Sequence, residues 1–180
     1  MHASPQFADS TTGVVYVHAS PAAVCPHVEW ALSSTLSAIS SSRPAEVSLR
    51  WQAQPAMPGQ LRAVTNWVGP VGTGARLANA LRSWPVLRFE VTEDASDGVD
   101  GQRFSHVPQL GMWSGSTSAN GDIMVSEMRL RTLLDGDMRS DPGSITAELD
   151  NMLGTAWDDA LEPYRSGGDG AEVTWLRGVG

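Results

Sequence analysis

Apolar residues recur along this chain with two different periods, and the switches between them lay out its elements. GVVYVHA (13 to 19) is a short β-branched and aromatic run bounded by glycine and Ser-Pro, which predicts a buried strand. From about Pro26 to Ile39, the residues Val28, Leu32, Thr35, Leu36 and Ile39 recur at helical spacing. They form the stripe of an amphipathic helix, which SSSRP ends. VSLRWQAQ (47 to 54) and QLRAVTNWV (60 to 68) read as two strands joined by the turn residues PAMPG. TGARLANALRSW (73 to 84) returns to the helical period through Leu77, Ala80, Leu81 and Trp84, with Thr73 as cap and Pro85 just past the end. VLRFEVTE (86 to 93) then alternates as a strand.

These six elements read β-α-β-β-α-β. Two right-handed crossovers that pack their helices on one face of an antiparallel sheet give the ferredoxin-like plan, so the predicted class is α+β. DASDGVDGQ (94 to 102) is a polar, acidic loop after which the pattern changes. Asn120-Gly121 lies between alternating segments and signals a β-hairpin with a primed turn. Ser126 caps a short helix over 127 to 134. A longer helix over 142 to 162 carries Ile145, Leu149, Met152, Ala156, Trp157, Ala160 and Leu161, and Pro163 stops it. GDGAEVTWLRGVG supplies a turn and a closing strand. The predicted organisation is therefore a tail over 1–12, the ferredoxin-like half over 13–93, the acidic loop over 94–102, and a hairpin-helix-helix-strand half over 103–180 packed on the first.

Composition narrows the chemistry. The 180 residues are 41% apolar and 18% charged, which suits a soluble globular chain. No apolar run approaches the roughly 18 residues of a spanning segment, and the first dozen residues do not have the pattern of a secretory signal. Cys25 is the only cysteine, so no intramolecular disulfide can form, and the expected location is the cytoplasm. The net charge is −8 and all twelve basic residues are arginines. The absence of lysine excludes a Schiff-base, biotinyl, lipoyl or phosphate-loop lysine, and the acidity argues against nucleic-acid binding.

Two stretches could carry chemistry. In VCPHVEW, Cys25, His27 and Glu29 lie close in sequence, with His18 upstream. If this stretch is helical, Cys25 and His27 are about 200° apart around the axis and cannot share a metal. With Pro26 as the first helical residue, Cys25 becomes a cap whose thiolate the helix end would favour; the plainer alternative is a buried, inert thiol. In GPVGTGAR, Gly69 and Gly74 fit phosphate-loop spacing, but Ala75 and Arg76 stand where lysine and a hydroxyl are required. The N–H groups of Gly72, Thr73 and Gly74 at a helix start, with Arg76 nearby, could still hold a phosphate or carboxylate; the plainer alternative is a tight turn.

The remaining candidates are weaker. Asp94, Asp97 and Asp100 miss calcium-loop spacing. Asp158 and Glu162 share a helix face near Arg165 and read as a solvated pair. Trp51, Trp67 and Trp113 on predicted strands could line a pocket or a partner surface, with core packing as the default. The residues supply no convergent catalytic set, no metal site and no cofactor site.

The blocks VVYVHASPAAVCPHVEWAL, WVGPVGTGARLANALRSWPVLRFEVTED, GDIMVSEMRLR and AWDDALEPYR resemble an actinobacterial family known as a domain of unknown function. The resemblance spans nearly the whole chain after residue 12. It implies a setting near fatty-acid synthesis or acyl-CoA carboxylation and brings no functional residues with it. The expectation is a cytoplasmic binding or regulatory protein with a protein partner. The rivals are a carrier or enzyme for a small anionic acyl or phosphorylated ligand at GPVGTGAR, and a homodimer.

Overall fold

The structure is a computed structural model and describes residues 10–40, 44–135 and 142–165. In chain order its elements are β1 (Ser10–Pro21), α1 (Cys25–Ile39), β2 (Gln52–Ala53), β3 (Gln60–Pro70), α2 (Thr73–Leu81), β4 (Arg88–Glu93), β5 (Gly101–Val107), β6 (Gly111–Thr117), β7 (Ile123–Met124), α3 (Glu127–Asp135), α4 (Pro142–Leu153) and α5 (Thr155–Arg165). Among the described residues the strands form one sheet in the order β2-β3-β1-β4-β5-β6-β7, with every neighbouring pair antiparallel. The fold is α+β. Its first half has β1 between β3 and β4 with β2 outside β3, the order that two split β-α-β crossovers produce. The second half extends the same sheet beyond β4 as a meander. Among the described residues no helix is long and apolar enough to cross a membrane.

The period-2 pattern sends alternate side chains to opposite faces. On one face, Val15 and Val17 of β1, Ala63 and Trp67 of β3, Phe89 and Val91 of β4 and Phe104 of β5 pack against Val28 and Leu32 of α1 and Leu77, Ala78 and Leu81 of α2. This is the apolar core. The cross-strand row on the other face runs Val64, Tyr16, Glu90, Ser105, Trp113, each residue directly opposite the next. α5 covers the β4–β6 part of that face, and the ring N–H of Trp157 donates to the Gly111 carbonyl at 3.0 Å.

Several elements differ from the sequence expectation. β1 begins at Ser10, three residues before GVVYVHA. The segment 47 to 54 is extended, but only Gln52 and Ala53 join the ladder; its earlier part is held instead by α1, through Glu29. β5 was not marked by alternation because six of its seven residues are buried. The Asn120-Gly121 hairpin is present with a loop of five residues between β6 and β7 rather than two, because the ladder ends at Thr117 and Ile123. The long helix over 142 to 162 is two helices, broken at Gly154, which has φ +77° and leaves no room for a side chain beside the Trp113 ring. Pro163 lies within the last turn of α5 rather than stopping it. The closing strand expected after Arg165 falls outside the described residues, as do the first nine residues of the expected tail.

The crossing of β1 over the core depends on a missing side chain. A Cβ on Gly13 would lie 1.9 Å from the Thr92 carbonyl oxygen and 2.5 Å from the Trp67 ring, so the backbone or the ring would have to move. Gly13→Ala is expected to destabilise the fold by about 2–3 kcal/mol. The check is a lower urea midpoint with an unchanged slope.

Candidate functional site: a buried ion cluster beneath α5

Glu90 sits at the centre of the sheet, 1% exposed, on the face opposite the apolar core. A carboxylate taken out of water at this depth must be met by donors from all sides. The neighbours on three elements supply them. Ser105 of β5, directly opposite in register, donates to Oε1 at 3.3 Å, and Arg103, two residues away on the same face of β5, donates through Nε at 3.2 Å. His18 donates from Nε2 to Oε2 at 2.7 Å. Its position follows from a β-bulge: the ladders of β1 shift between Val17 and Ala19 on one side and Val17 and Ser20 on the other, which frees His18 to turn toward Glu90.

The fourth contribution comes from α5. Arg165 forks onto Glu90, with Nε 3.0 Å from Oε2 and Nη2 2.6 Å from Oε1. Asp158, two turns earlier on the same helix, accepts from Nη2 of Arg165 at 2.8 Å and from Nη2 of Arg103. Arg103 also lies over the Trp113 ring, 5.7 Å from its centroid. Alongside, Gln54 donates to the carbonyls of His18 (2.6 Å) and Tyr164 (3.2 Å), and the Arg88 guanidinium stacks 4.8 Å from the Tyr164 ring centroid. Burial alone would raise the Glu90 pKa, but the hydrogen bonds from His18 and Arg165 outweigh it and hold the carboxyl far below its ordinary range. Because Glu90 is ionised, the His18 nitrogen facing it carries the proton.

The sequence-predicted residues go elsewhere. His18 joins the cluster, but Cys25, His27 and Glu29 each have different partners. Cys25 is the first residue of α1, with Val24 as cap; its thiol is buried and points at Ser20 Oγ (3.6 Å) and the Pro21 carbonyl (3.5 Å). Burial raises its pKa, so the inert alternative describes it. His27 is exposed and stacks on Trp84 at 6.0 Å. Glu29 accepts from the Leu49 N–H (2.8 Å) and the Trp51 ring N–H (3.1 Å), pinning the extended segment to α1. Among the described residues no group of three or more His, Cys, Asp or Glu is placed to hold a metal ion.

At GPVGTGAR the helix start does carry an anion, and it is part of the chain. Glu93 at the end of β4 accepts from the N–H of Gly72 at 2.6 Å and of Gly74 at 2.8 Å. Thr73 turns its hydroxyl to the Pro70 carbonyl at 2.6 Å, and Arg76 is exposed. The glycine loop and helix N-terminus are therefore joined to the strand that follows α2.

A family model described as "Protein of unknown function (DUF3145)" matches residues 14–178. No curated protein matches the chain, and no solved structure matches it.

Glu90→Gln would leave two buried guanidinium groups short of a counter-charge, which is expected to cost about 3–5 kcal/mol. The depressed Glu90 pKa also fixes the sign of a pH effect. A carboxyl whose folded pKa lies below its ordinary value of 4.5 contributes stability that is complete above that value and is lost as pH falls beneath it. Urea melts from neutral pH down to about pH 3 should show the wild type losing this increment while Glu90→Gln, already without it, declines less steeply.

Proposed function

Since the chain belongs to this family of unknown function (DUF3145), we propose that it is a non-catalytic, cytoplasmic binding protein that docks a protein partner on the uncovered part of its sheet. The observation that carries the reading is the state of the outer sheet face. α5 covers that face over β4–β6, whereas over β3 the side chains of Val64 and Val68 stand 55% and 68% exposed. Val64 lies opposite Tyr16 and Val68 opposite Thr12, with Val14 between them opposite Asn66. An apolar strip with a polar border has the character of a partner surface. The buried thiol and the mutually neutralised ion cluster support a binding role, because neither presents a nucleophile or a titrating group to a substrate. An accessory place in fatty-acid or acyl-CoA metabolism is the setting that the family resemblance implies for such a protein.

The rival reading is an anionic ligand held by Gly72, Thr73, Gly74 and Arg76. It would require the ligand to displace the Glu93 carboxylate from both N–H groups.

A photo-crosslinking residue placed at Val68 in the native host is expected to give one covalent adduct of a defined heterologous mass, and the same residue at Arg76 to give none. Val68→Asp should abolish that adduct's non-covalent counterpart in co-purification without lowering the melting temperature. An adduct of twice the chain mass would instead make the strip a homodimer surface, and adducts only from position 76 would return the reading to the loop.

A further inference from the structure

The buried cluster balances its charges with one component that lies at the rim. Arg103 and Arg165 bring two positive charges beneath the surface, their side chains 5% and 6% exposed, and Glu90 returns one negative charge from the interior. The second negative charge is Asp158, whose side chain is 34% exposed. Both of its contacts to the cluster run through Oδ1, to Nη2 of each arginine. The two guanidinium groups do not depend on Asp158 for their placement. Arg165 is forked on both oxygens of Glu90, and Arg103 is held by Glu90 and by the face of Trp113.

We infer that the outer edges of Arg103 and Arg165 form a recognition site for a small carboxylate, which Asp158 occupies in the resting protein as a tethered stand-in. Turning the Asp158 side chain toward solvent clears the oxygen position while both arginines keep their bonds to Glu90. The charge left on the pair after Glu90 is a single positive one, which matches a monoanionic carboxylate and not a dianionic phosphate. The planar donor forks suit a carboxylate in the same sense. Gly154 marks where α5 begins, so Asp158 is in the helix's first turn, the part with the fewest preceding contacts along the helix.

The test follows the Nε–Hε NMR signals of Arg103 and Arg165 during titration with sodium acetate at constant ionic strength. It uses the wild type, Asp158→Ala and, as a control for surface carboxylates, Asp159→Ala. The expected result is a saturable shift in all three, with half-saturation at least about tenfold lower in Asp158→Ala, because a tethered competitor at roughly millimolar or higher effective concentration has been removed. Asp159→Ala should follow the wild type, and inorganic phosphate should bind more weakly than acetate. The inference is overturned if the wild-type signals do not move, if all three proteins respond with the same half-saturation, or if phosphate is preferred. Should Asp158→Ala not fold, Asp158→Asn keeps the side-chain shape without the charge and takes its place. Should neither fold, a saturable wild-type response decides for the site and a flat one against it.

Discussion

One ionised carboxylate in the middle of a sheet constrains most of this structure. Transferring Glu90 to the interior costs several kcal/mol unless donors meet it, and no single element can supply enough of them. β4 lies between β1 and β5, so the first donors come from those strands: Ser105 by register, Arg103 two residues along the same face, and His18 through a local shift of the ladder. The remaining donor must come from above the sheet, and Arg165 at the end of α5 provides it. The bulge in β1, the register of β5 and the seating of α5 are three answers to the same electrostatic demand.

The same economy recurs at two other carboxylates. Glu29 holds the extended segment before β2 by taking the N–H groups of Leu49 and Trp51, and Glu93 closes the start of α2 by taking those of Gly72 and Gly74. In a chain without lysine, acidic side chains that turn inward are matched by backbone N–H groups, indole and guanidinium. This also explains why GPVGTGAR has the look of an anion loop. The donors are real, and the anion they hold lies 19 residues downstream of Gly74 in the same chain.

Local period was enough to read β1, β3, β4, α1 and α2, because each has one buried face and one exposed face. It failed where that asymmetry is absent. β5 is buried on both sides, by the apolar core through Phe104 and by the ion cluster through Arg103, so its alternation disappears. The break at Gly154 is hidden because apolar residues continue on both sides of it, and only the approach of Trp113 demands the glycine. The cluster itself has no spacing to detect: His18, Glu90, Arg103, Asp158 and Arg165 come from four elements. The one fragment visible in sequence, the acidic face of AWDDALEPYR, looks solvated because its arginine partner Arg103 and the carboxylate under Arg165 are more than 50 residues away.

That dispersal bears on how α5 finds its place. Leu161 is its fully buried residue, which is little apolar surface with which to fix a helix on a sheet. A helix held by such a contact alone would be free to slide along the face toward Val64 and Val68, since hydrophobic burial is non-directional. The ion cluster removes that freedom. Any displacement of α5 that takes Arg165 from Glu90 leaves both buried and unpaired, at a cost of about 3–5 kcal/mol, far more than two valines return on being covered. Polar geometry thus confines α5 to β4–β6, and the apolar strip over β1 and β3 stays uncovered because the helix that would otherwise cover it is tied to Glu90.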